Sequence, residues 1–509
     1  MTPNRRIFLN IIATYGRSLF AAALGIFSSR WIFLALGEVD FGLFAVVGSV
    51  IAFITFFNGV LGSSVTRFYA YAIGEARKMD DDSGRKHVCK WFNTALSVHT
   101  IVPFVLTIIG YPIGVYAICH WLQIPPDRVS ACIWVFRISL TTAFVSMVSI
   151  PFISLYTAYQ DIAELSLYGI LSSVLVFVSA YLLMGVVADR LVTYALIMMA
   201  IHVGIPIVQI VRAFCKYKAC RVDFSSWWNG GRNLKLFSFA GWQFFGNCGA
   251  MMRAQACTML TNVYFGPRLN AAYGISNTVL GQTGTLSNAL IGAFTPAITS
   301  EEGAGDRRRM ISYAWRSARY GTYLLLLFLI PLSLEINEVL RLWLKEPPEW
   351  TSLLCLVAFL ETVLNKMTVG QQLAIAAQGK IARYQATLGS FMIAAFPLAW
   401  ILILCGVGPA SVILALVATT TTCSLGRIFF GWRQLDMRPF DWMKEVLLPL
   451  VAVSVCACVV GCIARFSMEP SFLRICITSV LSISVMFVSG WFVVLGHAER
   501  KRILERLKR

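Results

Sequence analysis

Charge is the scarcest feature of this sequence. Asp, Glu, Lys and Arg make up 13% of its 509 residues, where a soluble domain carries about 25%. A chain that is 58% hydrophobic, with a mean hydropathy of +0.71, has too little polar surface to cover a water-soluble particle. Negative charge is rarer still, with 25 acidic residues against 43 cations. Other absences narrow the chemistry. The 14 cysteines show no CxxC spacing, and those inside apolar runs, such as Cys456, Cys458 and Cys462, read as small packing hydrophobes. The 5 histidines form no HExxH pattern, and there is no Walker A sequence. Neither a metalloenzyme nor an ATPase is expected, and no cofactor or metal is implied.

Apolar length is what the sequence has instead. Unbroken apolar runs of 20 or more residues are long enough to cross a bilayer as helices, and lipid forces backbone groups to pair within such a segment. Barrel strands would alternate in polarity over roughly ten residues, which these runs do not. The expected fold is all-α: a polytopic membrane protein of about fourteen transmembrane helices. They lie near 8–36, 41–66, 91–118, 130–157, 163–187, 191–211, 236–265, 271–298, 320–340, 350–377, 384–405, 410–432, 446–464 and 475–496. Met1 to Arg6 reads as a short basic start, and the apolar stretch after it is too long for a signal-peptide core.

The net charge of +18 does not point to nucleic acid, because the cations sit in short loops between spans. Under this topology one side receives 31 Lys and Arg, with Arg427 counted in the loop 427–444, and the other 7, with Arg474 among its outer-loop cations. Positive residues favour the cytoplasmic side, so both termini are expected there. The loop 158–162 is the exception, cytoplasmic by parity yet without a cation.

The chain also carries a repeat. "LGEVDFGLFAVVGSV" opens segment 2 and "FGPRLNAAYGISNTV" opens segment 8, with Gly37 and Gly266 in matching places at an offset of 229 residues. Two six-helix lobes follow, 1–214 and 215–433, with the last two helices and a basic tail in 434–509. Transporters are often built from such repeats around a midplane site.

Five cations remain inside spans: Arg17, Arg30, Arg137, Arg253 and Lys366; among acidic residues only Glu361 falls deep within one. Charge at membrane depth is costly and normally faces a protein interior or a wet cavity. Such an excess of cations calls for an anionic substrate. Arg30 lies near a span end and can snorkel to the headgroups; Arg137 and Lys366 can do the same or line the cavity. Arg17 and Arg253 sit nearer mid-span. Polar faces accompany them. Asn10, Thr14, Arg17, Ala21 and Ser28 share a face of segment 1, and Gln243, Asn247 and Gln255 surround Arg253 in segment 7. In segment 8, Gln282 lies with Thr278, Thr285 and Asn288. Glu361, Asn365, Thr368 and Gln372 follow one face of segment 10. The candidate substrate-binding set is therefore Arg17, Arg253, Arg137, Lys366, Gln243, Asn247 and Gln282. Glu361 with Asn365 forms a coupling site or a counter-ion.

The stretch Asn10 to Gly74 contains Ser29-Arg30, Leu36-Gly37, Asp40-Phe41-Gly42-Leu43-Phe44 and Arg67-Phe68. It resembles the opening of bacterial polysaccharide flippases, the Wzx-like members of the multidrug/oligosaccharidyl-lipid/polysaccharide exporter superfamily. The second-lobe start at Gly266 and the turn Gln378-Gly379-Lys380 are similar too. The resemblance implies two six-helix lobes around a central cationic cleft. It also implies alternating-access export of undecaprenyl-pyrophosphate-linked oligosaccharide across the inner membrane for cell-surface polysaccharide such as O-antigen. Partners would be the lipid-linked substrate, membrane lipids and a glycan polymerase or ligase. Arg253 departs from the pattern, standing where many relatives carry an acidic residue. The sister-branch alternative, a drug or metabolite antiporter, would want more buried carboxylates than Glu361. A membrane-embedded enzyme would want a large external loop, and the outer loops here are short.

The charge split carries a test of topology. Reporter fusions in the loops 67–90, 212–235 and 299–319 should report a cytoplasmic location. A cysteine placed at Ser83 that reacts with an impermeant reagent from outside would overturn the assignment.

Overall fold

The computed structural model describes residues 3–120, 124–344, 346–496 and 500. The side chains of Arg30, Gln255, Gln282 and residues 45–55 lie outside the described residues. The described chain is helical, with no strand among those residues. In order come α1 (Pro3–Ala76), α2 (Asp81–His120), α3 (Val129–Ala158), α4 (Ile162–Leu182), α5 (Arg190–Lys216) and α6 (Gly230–Gly303). Then follow α7 (Arg307–Leu334), α8 (Ile336–Leu344), α9 (Thr351–Met367), α10 (Val369–Gln378), α11 (Ala382–Ile393) and α12 (Ala395–Leu404). The last are α13 (Ala410–Leu435), the short α14 (Pro439–Trp442), α15 (Leu448–Phe466) and α16 (Phe472–Val493).

Among the described residues, 9 helical stretches are long and apolar enough to cross a membrane, and α9 with α10, bent by 42°, make a further span. The remaining spans are hidden in α1 and α6, each 74 residues. A straight helix of that length would measure about 110 Å, several times the hydrocarbon core of about 30 Å. Each is broken once, α1 at Gly37 (φ 75°, ψ 174°) and α6 at Gly266 (φ 80°, ψ −178°). Two arms from each bring the segments to about fourteen, and this is a multi-pass membrane protein. That backbone conformation belongs almost wholly to glycine. At both positions an added Cβ would meet nothing within 4 Å, so the glycine is needed for its dihedrals and not for space. The two residues paired by the 229-residue offset thus share one unusual geometry.

The chain forms two compact units, one of residues 1–241 with 299–306, the other of 242–298 with 307–509. In the first, α1 packs along α3 and α4, and α3 along α5. Its core gathers Ile32, Leu36, Leu43, Phe136, Leu183 and Leu191 around the break at Gly37. The surrounding motif acquires physical roles. Arg190 donates to the Ala35 carbonyl at 3.0 Å, a group that the break takes out of the regular ladder. Asp40 accepts from Arg128 at 2.9 Å, which also reaches Asp189 at 2.9 Å. Phe44 packs on Tyr194 with centroids 4.9 Å apart.

The cation-free turn 158–162 draws its charges from elsewhere. Asp161 pairs with Lys216 at 2.9 Å, and Glu164 with Lys216 at 2.6 Å and Arg212 at 3.2 Å. Asn10 is buried against the same turn, donating to the Gln160 carbonyl at 2.8 Å and accepting from Ala163 N at 3.1 Å. Its sequence placement on a cavity face is therefore corrected: Asn10 splints α1 to the α3–α4 turn.

In the second unit α15 and α16 pack on one another and on α7. Here the sequence reading missed an ion pair. Glu335, between α7 and α8, has a side chain 1% exposed and accepts from Arg474 at 2.8 Å and Thr478 at 3.2 Å. Glu361 is thus not alone among buried carboxylates, and Arg474, read as an outer-loop cation, is buried. Segment 10 is also not one straight helix. It breaks at Thr368 between α9 and α10, so Gln372 does not continue the face of Glu361 and Asn365.

The breaks yield a stability test. Gly37→Ala or Gly266→Ala should each cost about 1–3 kcal/mol through backbone strain, read as a lowered unfolding midpoint of the detergent-purified protein. Gly25→Ala, at a helical position with nothing within 4 Å of the added carbon, should be neutral or slightly stabilising. Equal midpoints for all three variants would remove the breaks from the account.

Candidate functional site

Each unit holds a cavity of its own, lined in part by polar side chains. In the second unit, α6 contributes Arg253, α9 contributes Glu361 and α13 contributes Thr420. Arg253 Nη1 donates to Glu361 Oε1 at 3.3 Å and to Thr420 Oγ1 at 3.0 Å. Thr420 Oγ1 donates to Glu361 Oε1 at 3.1 Å, which closes a triangle. The side chains are 25% and 13% exposed for Arg253 and Glu361. They line a cavity of about 130 Å³ with Tyr273, Ser276, Asn277 and Asn365. The helical spacing of segments 7 and 10 led to both partners. Only the fold shows that their charges cancel one another.

Arg427 is the cation that sequence reading missed. Counted there as a loop residue, it lies buried within α13. Its Nη1 donates to the Asn365 carbonyl at 3.1 Å, to the Asn365 side-chain oxygen, and to Thr368 Oγ1 at 3.3 Å. The break at Thr368 ends α9 here, and a guanidinium suits the negative end of a helix dipole. Its Nε has no hydrogen-bond partner among the described residues. A signal was present: Thr420, Ser424 and Arg427 fall at i, i+4 and i+7 on one helical face. Arg253, Asn365 and Arg427 share a second, smaller cavity of about 30 Å³.

The other candidates of this unit are dispersed. Lys366 donates to Asn288 Oδ1. Gln243 accepts from Gln385 at 2.8 Å. Asn247 is exposed. None of these three lines either cavity. The side chain of Gln282 lies outside the described residues.

The first unit has the larger cavity, about 600 Å³, walled by α1, α3, α4 and α5. Arg17 lines it with the polar Asn58, Ser139, Thr142, Ser146, Tyr168, Ser172, His202 and Gln209 and with a larger apolar share that includes Phe44, Ile138, Met198 and Met199, and among the described residues no Asp or Glu is in the lining. The stem of Arg17 lies on Gly169, where a Cβ would fall 2.4 Å from the arginine Cδ. Half-buried, its guanidinium makes no hydrogen bond or ion pair with another described residue. Arg137 is not in the lining: it is exposed, donates from Nε to Tyr111 Oη at 3.0 Å, and lies over the Tyr111 and Trp134 rings. His202 lines the cavity without any ligand-type spacing in the sequence to signal it. No group of three or more His, Cys, Asp or Glu able to hold a metal occurs among the described residues.

The triangle predicts strong coupling between its charged members. Glu361→Ala leaves Arg253 without its counter-ion and should lower stability by about 3 kcal/mol, measured by thermal unfolding. Replacing both residues by Met should cost much less, since no stranded charge remains. Additive losses in the double variant would mean that the two charges do not compensate each other.

No family model matches the sequence, and no curated protein matches it. Solved structures do. A MATE transporter in the bent conformation superposes with a TM-score of 0.71 at 15% identity, covering 89% of this chain and 98% of that one. A multidrug resistance MATE family transporter of the MOP superfamily, outward-facing, gives 0.69 at 13% identity over 86% of this chain and 96% of the other. A MOP superfamily transporter from Pyrococcus furiosus, described as having a binding pocket of reverse polarity suggesting a different function, gives 0.69 at 14% identity, over 85% and 96%. The chain therefore has the fold of the MATE transporters of the MOP superfamily.

Proposed function

We propose that this protein is a flippase that carries an anionic, pyrophosphate-linked oligosaccharide lipid across the bacterial inner membrane by alternating access, with both termini cytoplasmic. The observation that carries this reading is Arg17, a cation without a described partner in a cavity of about 600 Å³ whose described lining residues include no carboxylate. A charge held at membrane depth without compensation is costly, and an anionic ligand removes that cost when it binds. Arginine suits a phosphate because it stays charged and offers a planar fork of donors. The hydroxyl and amide groups around it fit a glycan, while the lipid tail remains in the bilayer.

The repeat supports the reading. The matched breaks at Gly37 and Gly266 fit two lobes, 1–214 and 215–433, with 434–509 added. Glu361 serves in this view as the counter-ion of Arg253 and not as a coupling carboxylate. Arg253 then contributes less to the substrate than Arg17 does. A multidrug antiporter is the second reading, because the fold is equally that of multidrug MATE transporters. Its favouring observation is Glu361 in a polar cavity. An organic cation would have to compete with Arg253 for that carboxylate. Glycan polymerase or ligase partners belong to the first reading alone.

Surface-glycan display in a deletion strain separates the two. Arg17→Ala should abolish display at normal protein abundance, and Arg17→Lys should restore only part of it, since charge is kept but the fork is lost. Full display from Arg17→Ala, or drug resistance that depends on Glu361 with no glycan defect, would favour the antiporter.

A further inference from the structure

His202 shares the first-unit cavity with Arg17 and makes no hydrogen bond with another described residue. The titratable groups facing this space are few. From α1 comes Arg17, from α4 Tyr168 and from α5 His202; α3 lends only neutral groups, including Ser139 and Thr142. The nearby carboxylates of α4 and the turn before it are already committed, Glu164 to Arg212 and Lys216, and Asp161 to Lys216 and Tyr217. Among the described residues, therefore, an imidazolium in this cavity shares the lining with one cation and no anion.

A phosphate-type dianion inverts that balance. One of its charges is matched by Arg17, and the second has no partner unless the imidazole takes a proton. Histidine is the side chain that can do so near neutral pH. By linkage, an anion that raises the proton affinity of the histidine must itself bind more tightly when the histidine is protonated. Building on the reading of this cavity as an anion site, we infer that His202 is its proton-linked half, so that the cavity takes up a dianion together with one proton carried on the imidazole ring. Anion affinity is then high below the histidine range and falls as pH rises through it. Each loaded cavity then carries one proton together with its substrate.

The test uses the full chain in nanodiscs and methanedisulfonate, a compact dianion whose charge stays constant from pH 5.5 to 8.0. Calorimetric titration should show about tenfold tighter binding at pH 5.5 than at pH 8.0. His202→Gln should bind weakly at both, and His202→Arg tightly at both, because its charge is permanent. Arg17→Gln should bind at neither. Equal wild-type affinity at the two pH values, or a His202→Gln protein that keeps the wild-type pH dependence, would overturn the role of His202 while leaving the anion site standing. Absence of wild-type binding both to this probe and to inorganic pyrophosphate would overturn the anion site itself, and His202 with it.

Discussion

A bilayer interior offers no water to a charge, and the ionic side chains of this protein are arranged around that cost. Three arrangements recur. Glu335 and Arg474 pair at 2.8 Å with Thr478 completing the carboxylate's hydrogen bonding. Arg253 and Glu361 do the same more loosely, sharing Thr420. Arg427 is neutralised without a carboxylate, by oxygen atoms at the broken end of α9. Buried pairs of this kind add little net stability, yet losing one member strands the other. Arg17 follows none of the three arrangements, and that is why its cavity carries the functional reading.

Backbone satisfaction is the second demand of the same solvent. A helix that turns back on itself between two spans frees carbonyl groups at the turn. At Gly37 the Ala35 carbonyl is taken up by Arg190, and the adjoining Asp40 is bound by Arg128. Leu36-Gly37 and Asp40-Phe41-Gly42-Leu43-Phe44 therefore combine one residue able to adopt the dihedrals, an acid for an ion pair, and apolar side chains that bury the corner. The turn at 158–162 meets the same demand with Asn10.

The proposed function rests on how the cavities of the two units differ. The second unit places its cavity cation against a carboxylate, in a space of about 130 Å³. The first leaves Arg17 facing about 600 Å³ with hydroxyls, amides and an imidazole around it. A self-neutralised site attracts a charged ligand only by displacing its own partner, whereas an uncompensated one gains from the ligand's charge directly. On the proposed function, the first unit's cavity is the one that recognises the substrate and the second unit's ion pair is structural.

The apolar runs, their number and the glycine pair at an offset of 229 residues were all legible in the sequence. Those features answer to local physics: helix length against bilayer thickness, and dihedrals that only glycine adopts. Arg17, Arg253 and Glu361 were legible as membrane-depth charges for the same reason. Their partnerships were not. Whether Arg253 meets Glu361, whether Glu335 meets Arg474 139 residues away, and whether Arg427 lies in a loop or against α9 depend on how helices distant in sequence pack. Asn10 is instructive, since its periodicity marked a polar face but could not distinguish a cavity from a neighbouring turn. The sequence by itself determined the helices, their breaks and the stock of charge to be compensated. Tertiary structure alone decided which charges cancel and which remain available, because compensation acts over a few ångströms in space and helical periodicity reports only one helix at a time.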